Sequence, residues 1–158
     1  MIPTLTETLS LLKTVEWKNN KVVMIDQTKL PNELVFVKYS DYNDVAEAIK
    51  TLVVRGAPAI GVSGAFGLAL ASLQSRAITK EQLLSDLEVA RKILFETRPT
   101  AINLSWGLEQ IMTVAKNGKS VDEIRNLIIN TAKQMAENDV RINMKMGDRK
   151  STRLNSSH

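Results

Sequence analysis

The sequence predicts an α+β fold, with a small N-terminal antiparallel β-sheet followed by a helical bundle. Three observations lead there. Two short alternating stretches flank "KNNK" near the N-terminal end, as the arms of a hairpin do. From residue 41 onward apolar residues recur at three- and four-residue spacing, punctuated by two capping boxes. Aromatic residues make up 4% of a chain that is 44% hydrophobic, which favours helices packed through aliphatic ridges over a β-sandwich. At 158 residues, 24% of them charged, the chain is one domain's worth and neither disordered nor repetitive.

The elements follow in order. A short helix is expected around Thr6 to Leu12. "TVEW", residues 14–17, and "VVMID", residues 22–26, form a hairpin whose Asn19 and Asn20 can take the φ > 0 positions of the turn. Pro31 and Asn32 break the chain before a third strand, "LVFVKY", residues 34–39. Asp41 caps a first helix to about Leu52, with Val45, Ala46, Ile49 and Leu52 on its inner face. A second helix covers Ala57 to Leu73. Thr79 and Gln82 open a third through a capping box, and it turns Leu83, Leu84, Leu87, Ala90, Ile93 and Leu94 inward. A fourth runs from about Ile102 to Ala115 and stops at Asn117 and Gly118; Trp106 is expected in the core. Ser120 and Glu123 box the start of a fifth, which continues to about Met146.

Residues 148–158, "DRKSTRLNSSH", follow Gly147 without helical or strand periodicity and match one reading frame of a widely used sequencing adapter. They are read as a non-native tail, leaving 1–147 as the genuine domain and the chain as a truncated product. Arg149, Lys150 and Arg153 against Asp148 account for half of the formal net charge of +4. The remaining charges are mixed and scattered, so no nucleic-acid partner is expected. The chain has no cysteine, and its single histidine is His158, which excludes disulfides, thiolate metal sites and a cysteine nucleophile from these residues. The N-terminal end lacks the features of a signal peptide, and a reducing, cytoplasmic location is expected.

"VVRGAPAIGVSGAFGLAL", residues 53–70, carries four of the seven glycines and a single charge. Twenty uncharged residues separate Arg55 from Arg76, long enough to raise a membrane span. The segment is small rather than greasy and stands alone in this respect, so it reads as the central helix of a bundle, with Gly61, Gly64 and Gly67 admitting a neighbouring backbone, and no membrane is expected. Its entrance is a separate matter. Pro58 suits a first helical turn, and the free N–H groups beside Gly56 and Ala57 make an anion site to which Arg55 adds a forked donor. Arg98, held before Pro99 in "TRPTAINLSWG", residues 97–107, is a candidate second cation. The residues alone leave two readings open: a phosphate site, or arginines that merely serve the turns.

"TVEWKNNKVVMIDQTKLPNELV", "AIKTLVVRGAPAIGVSGAFGLALA" and "ETRPTAINLSWGLEQI" together resemble the methylthioribose-1-phosphate isomerases, in a superfamily shared with regulatory subunits of translation initiation factor 2B. The likeness runs from about residue 14 to Gly147. It implies that Arg55, Gly56 and Ala57 bind a sugar phosphate and that Arg98 is a second substrate-binding residue. The implied reaction, a step of methionine salvage, interconverts an aldose 1-phosphate and 5-methylthioribulose 1-phosphate. The ring opens and hydrogen moves between C1 and C2 by an enediol or a hydride-shift route, with no metal or organic cofactor. The catalytic cysteine and aspartate of such enzymes would fall beyond Gly147, the aspartate in a Rossmann-like C-terminal domain that is missing here. The resemblance therefore implies an N-terminal fragment without catalytic residues, inactive alone and homodimeric at full length. A regulatory sugar-phosphate- or nucleotide-sensing subunit and a ribose-bisphosphate isomerase are the alternatives within the superfamily, and a free-standing helical interaction module is a third.

Overall fold

Asn19 and Asn20 both take left-handed backbone angles, φ 53° and 59°, and turn strand β1 (Val15–Lys18) into β2 (Lys21–Ile25) as the hairpin reading requires. The structure, a computed structural model, describes residues 14–152, and side chains for 14–138. The helix expected around Thr6 to Leu12 lies outside the described residues. Strand β3 (Phe36–Tyr39) pairs antiparallel with the other edge of β2, in register Met24 to Val37, so β2 is the centre of a three-stranded sheet. It begins two residues later than expected, although the Val35 carbonyl already accepts from the Asp26 N–H at 2.8 Å. Between β2 and β3 the sequence reading missed a 3-10 turn at Gln27–Lys29, capped by the Asp26 carboxylate on the Thr28 N–H.

Five helices follow: α1 (Tyr42–Lys50), α2 (Ala57–Gln74), α3 (Lys80–Thr97), α4 (Ile102–Asn117) and α5 (Val121–Thr152). Asp41 caps α1 and the Thr79–Gln82 box opens α3, both as expected. At α5, Ser120 Oγ accepts from the Glu123 N–H at 3.2 Å. Two helix ends differ from the reading. Helix α1 stops at Lys50, and Leu52 leaves the inner face with φ 66° and partial exposure. The cause is tertiary: Val53 gives its carbonyl to the Gln27 N–H, and Val54 is pulled into the core. Helix α5 runs past Met146 to Thr152, because Gly147 costs only about 1 kcal/mol in a helix and no proline follows.

Helix α2 is the centre of the bundle. Fourteen of its residues, Ala59 to Ser72, are buried, and Phe66 stacks on Trp17 of β1 with ring centroids 5.6 Å apart, joining sheet to bundle. It is long and apolar enough to cross a membrane, yet 78% of that stretch is buried within the protein, as a core helix would be. Its glycines set the closest crossing. A Cβ on Gly61 would stand 2.7 Å from the Asn103 carbonyl oxygen, and one on Gly107 would stand 2.5 Å from that of Gly61. Helices α2 and α4 thus touch backbone to backbone there, which only glycine permits. Gly118 ends α4 as expected, but with φ −72°; it is the close approach of Ile124, not a left-handed turn, that excludes a side chain.

Candidate functional site

The loop between α1 and α2 is pinned before it reaches Arg55. Leu52 turns it, Val53 ties it to the 3-10 turn, and fully buried Val54 anchors it, so Arg55 emerges exposed from a fixed point. Gly56 then takes φ 91° and ψ 131° as N-cap of α2, a conformation open in practice to glycine alone. No side chain caps this end, and Pro58 in the first turn has no N–H to satisfy. The Ile60 N–H closes the first helical bond on the Gly56 carbonyl, while the Ala57 and Ala59 N–H groups have no partner among the described residues.

Arg98 is fixed with equal economy. As C-cap of α3 it has φ −149° and ψ 75°, and its N–H donates to the Phe95 carbonyl at 3.2 Å. Its own carbonyl accepts from the Ala101 N–H at 3.0 Å, closing a tight turn through Pro99. That turn leads directly into α4, whose N-terminus also lacks a side-chain cap and whose Ile102, Asn103 and Leu104 N–H groups have no partner among the described residues.

These parts meet. Arg55, Gly56, Ala57 and Arg98 all line one open cleft of about 630 Å³, completed by Leu52, Ile60 and Thr100 to Asn103. Two uncapped helix N-termini open on it, each carrying partial positive charge, and two guanidiniums flank them. Among the described residues no carboxylate lines the cleft, and neither guanidinium makes an ion pair or a hydrogen bond. Two forks and two sets of backbone donors around one space suit a tetrahedral oxyanion. Leu52, Thr100 and Ile102 of this lining were not singled out in the sequence.

Trp106 corrects the reading that placed it in the core. It is 56% exposed and lines a second, smaller recess of about 210 Å³ with Pro58, Gly61, Val62, Asn103, Met135 and Asn138. The sequence did contain the signal: Leu104, Leu108, Ile111 and Ala115 mark the buried stripe of α4, and position 106 falls two residues off it.

Residues 53–158 match the model of the initiation factor 2 subunit family. The chain belongs to that family. Apart from Leu52, the whole lining of the cleft lies in the matched segment. Among curated relatives, a putative methylthioribose-1-phosphate isomerase of Pyrococcus horikoshii is 47% identical over 89% of this chain and 39% of its own length. The methylthioribose-1-phosphate isomerase of Geobacter metallireducens is 45% identical over 81% of this chain and 38% of its own. Two solved family structures share the fold. The crystal structure of 5-methylthioribose 1-phosphate isomerase from Pyrococcus horikoshii OT3 superposes with a TM-score of 0.82 at 47% identity, covering 86% of this chain and 39% of that one. Translation initiation factor eIF-2B, subunit delta, from A. fulgidus superposes with a TM-score of 0.78 at 40% identity, covering 82% and 38%. The chain thus spans about two fifths of the length of the relatives it matches.

Proposed function

We propose that this chain contributes the phosphate-binding part of an S-methyl-5-thioribose-1-phosphate isomerase, and that Arg55, Gly56, Ala57 and Arg98 hold the phosphate of the substrate. The observation that carries the reading is the convergence of both arginines and two uncapped helix N-termini on one cleft, with no carboxylate in its lining among the described residues. Backbone donors fixed by the helices before the ligand arrives lose little on binding, and a phosphate at C1 would be held while the rest of the sugar reacts. The names of the relatives supply the substrate class. This chain's part in the chemistry is to bind and orient; it holds no cysteine, and the reacting groups belong to the remainder of a protein of its relatives' length. The same reading places the protein in the cytoplasm as a homodimer.

The test is turnover. A protein of the relatives' full length carrying this sequence is expected to convert 5-methylthioribose 1-phosphate to 5-methylthioribulose 1-phosphate, while the 158-residue chain shows no rate above buffer. Conversion by the short chain would remove the division of labour. A second reading has an observation of its own, the close superposition on an initiation-factor subunit. A regulatory subunit would bind the sugar phosphate at full length and leave it chemically unchanged.

A further inference from the structure

We propose that Asp26 is a positioning residue of the phosphate site: its carboxylate holds the 3-10 turn whose Gln27 N–H clamps Val53, and that clamp sets where Arg55 stands. The inference rests on the reading of the Arg55–Arg98 cleft as the phosphate site, and deepens it at a residue outside the cleft. Asp26 is absent from the lining, and among the described residues it pairs with no cation. Yet it is only 9% exposed. A carboxylate so far out of water is costly unless it is bonded, and both its bonds come from one neighbour. Its Oδ1 accepts from the Thr28 N–H at 3.0 Å and from the Thr28 hydroxyl at 2.5 Å. Those bonds close the turn at Gln27–Lys29, and the Asp26 N–H, donating to the Val35 carbonyl at 2.8 Å, ties it to the approach of β3. The turn is thus a fixed block at the end of β2.

From that block one bond reaches towards the site. The Gln27 N–H donates to the Val53 carbonyl at 2.9 Å, while the Val53 N–H donates to the Ala48 carbonyl at 3.0 Å, so Val53 is gripped between the 3-10 turn and α1. Among the described residues no backbone hydrogen bond then involves Val54 or Arg55, until the Gly56 carbonyl accepts from Ile60 at the head of α2. Besides the burial of the Val54 side chain, the two ends of this short span are what hold it. Arg55, exposed and without a partner of its own among the described residues, takes its place from them. Releasing the Val53 end lets the guanidinium range over more positions, and the cost of ordering it then falls on ligand binding.

The test is a double-mutant cycle in a protein of the relatives' full length. Apparent affinity for 5-methylthioribose 1-phosphate is read by equilibrium dialysis after any conversion has run to equilibrium, so the reading stands with or without turnover. Asp26→Ala is expected to weaken binding about fivefold or more, and to add almost nothing in an Arg55→Ala background. Asp26→Asn, which keeps an oxygen acceptor for Thr28, should bind within about twofold of the parent. Gln27→Pro removes the clamping N–H itself. Asp26, at φ −74° and ψ 99°, already has the extended backbone of a residue before proline, so the turn accepts this change and affinity falls as for Asp26→Ala. Where Asp26→Ala does not fold, Gln27→Pro decides. Ser120→Ala, which removes a cap on α5 away from the cleft lining, measures what lost stability alone does to binding. If Asp26→Ala and Gln27→Pro weaken binding no more than Ser120→Ala, or by equal factors with and without Arg55, the positioning role is overturned and the cleft reading stands. If Arg55→Ala binds like the parent, the cleft reading and this inference fall together.

Discussion

Gly56 shows how a single backbone angle can shape the entrance of a helix. A Cβ built on it meets nothing within 4 Å, so space does not demand glycine; φ 91° does. Gly56→Ala is expected to cost about 1–3 kcal/mol of stability through backbone strain, measured by denaturant unfolding, and to weaken phosphate binding because Arg55 and the Ala57 N–H leave their positions. Replacing Arg98 by Lys tests the fork itself: a point charge keeps the sign but loses the planar pair of donors, so affinity for a sugar phosphate should fall while the melting temperature holds. At this scale the helix entrance was legible in the sequence, because Arg-Gly-Ala-Pro announces it through steric rules alone. The neighbours Leu52, Thr100 and Ile102 were not, since nothing in an aliphatic or a threonine indicates which cavity it will border. Trp106 was misjudged because aromatic size suggests burial, whereas the helical stripe of α4 had already been filled by leucine, isoleucine and alanine.

Helix ends were read well wherever a local hydrogen bond fixes them. The Thr79–Gln82 box and the Asp41 cap depend on side chains within a few residues, which a sequence displays directly. Asp41 accepts from the Asn43 N–H at 2.8 Å, and that bond holds its carboxyl below the usual aspartate range. A depressed folded-state pKa means the cap contributes fully above the ordinary carboxylate range and fades as pH falls through the lowered value. Asp41→Ala is therefore expected to cost about 1 kcal/mol near neutral pH, with the gap to the parent chain narrowing in acid, by thermal unfolding across a pH series. The end of α1 was misread because Val53 and Val54 are drawn away by partners distant in sequence. Contact between α2 and α4 belongs to the same scale: Gly107→Ala drives a methyl into the Gly61 carbonyl, and overpacking of this kind costs about 1–3 kcal/mol. Because both helices present their N-termini to the cleft, that variant should weaken phosphate binding as well, in contrast to a surface change such as Val89→Ala.

For the molecule as a whole, α2 links core and site. Its body is buried among sheet and helices, its C-terminal end is held by Arg125, which donates to the Ser72 and Ser75 carbonyls at 2.8 and 2.7 Å, and its open end faces the cleft. The proposed binding role and the core packing thus lie at different places along one element. The sequence conveyed this arrangement through the apolar run after Arg55, but the approach of Arg98 across 43 residues needed the fold, because no local rule brings two turns together. The most direct measurement of the central claim is sugar-phosphate affinity together with melting temperature for Arg55→Ala and Arg98→Ala in a protein of the relatives' full length. Both cations facing one phosphate predicts a loss of roughly ten- to a hundredfold in affinity for each variant, with the melting temperature unchanged. Unchanged affinity in both variants, with a lowered melting temperature, would show that the arginines serve the turns and would contradict the account.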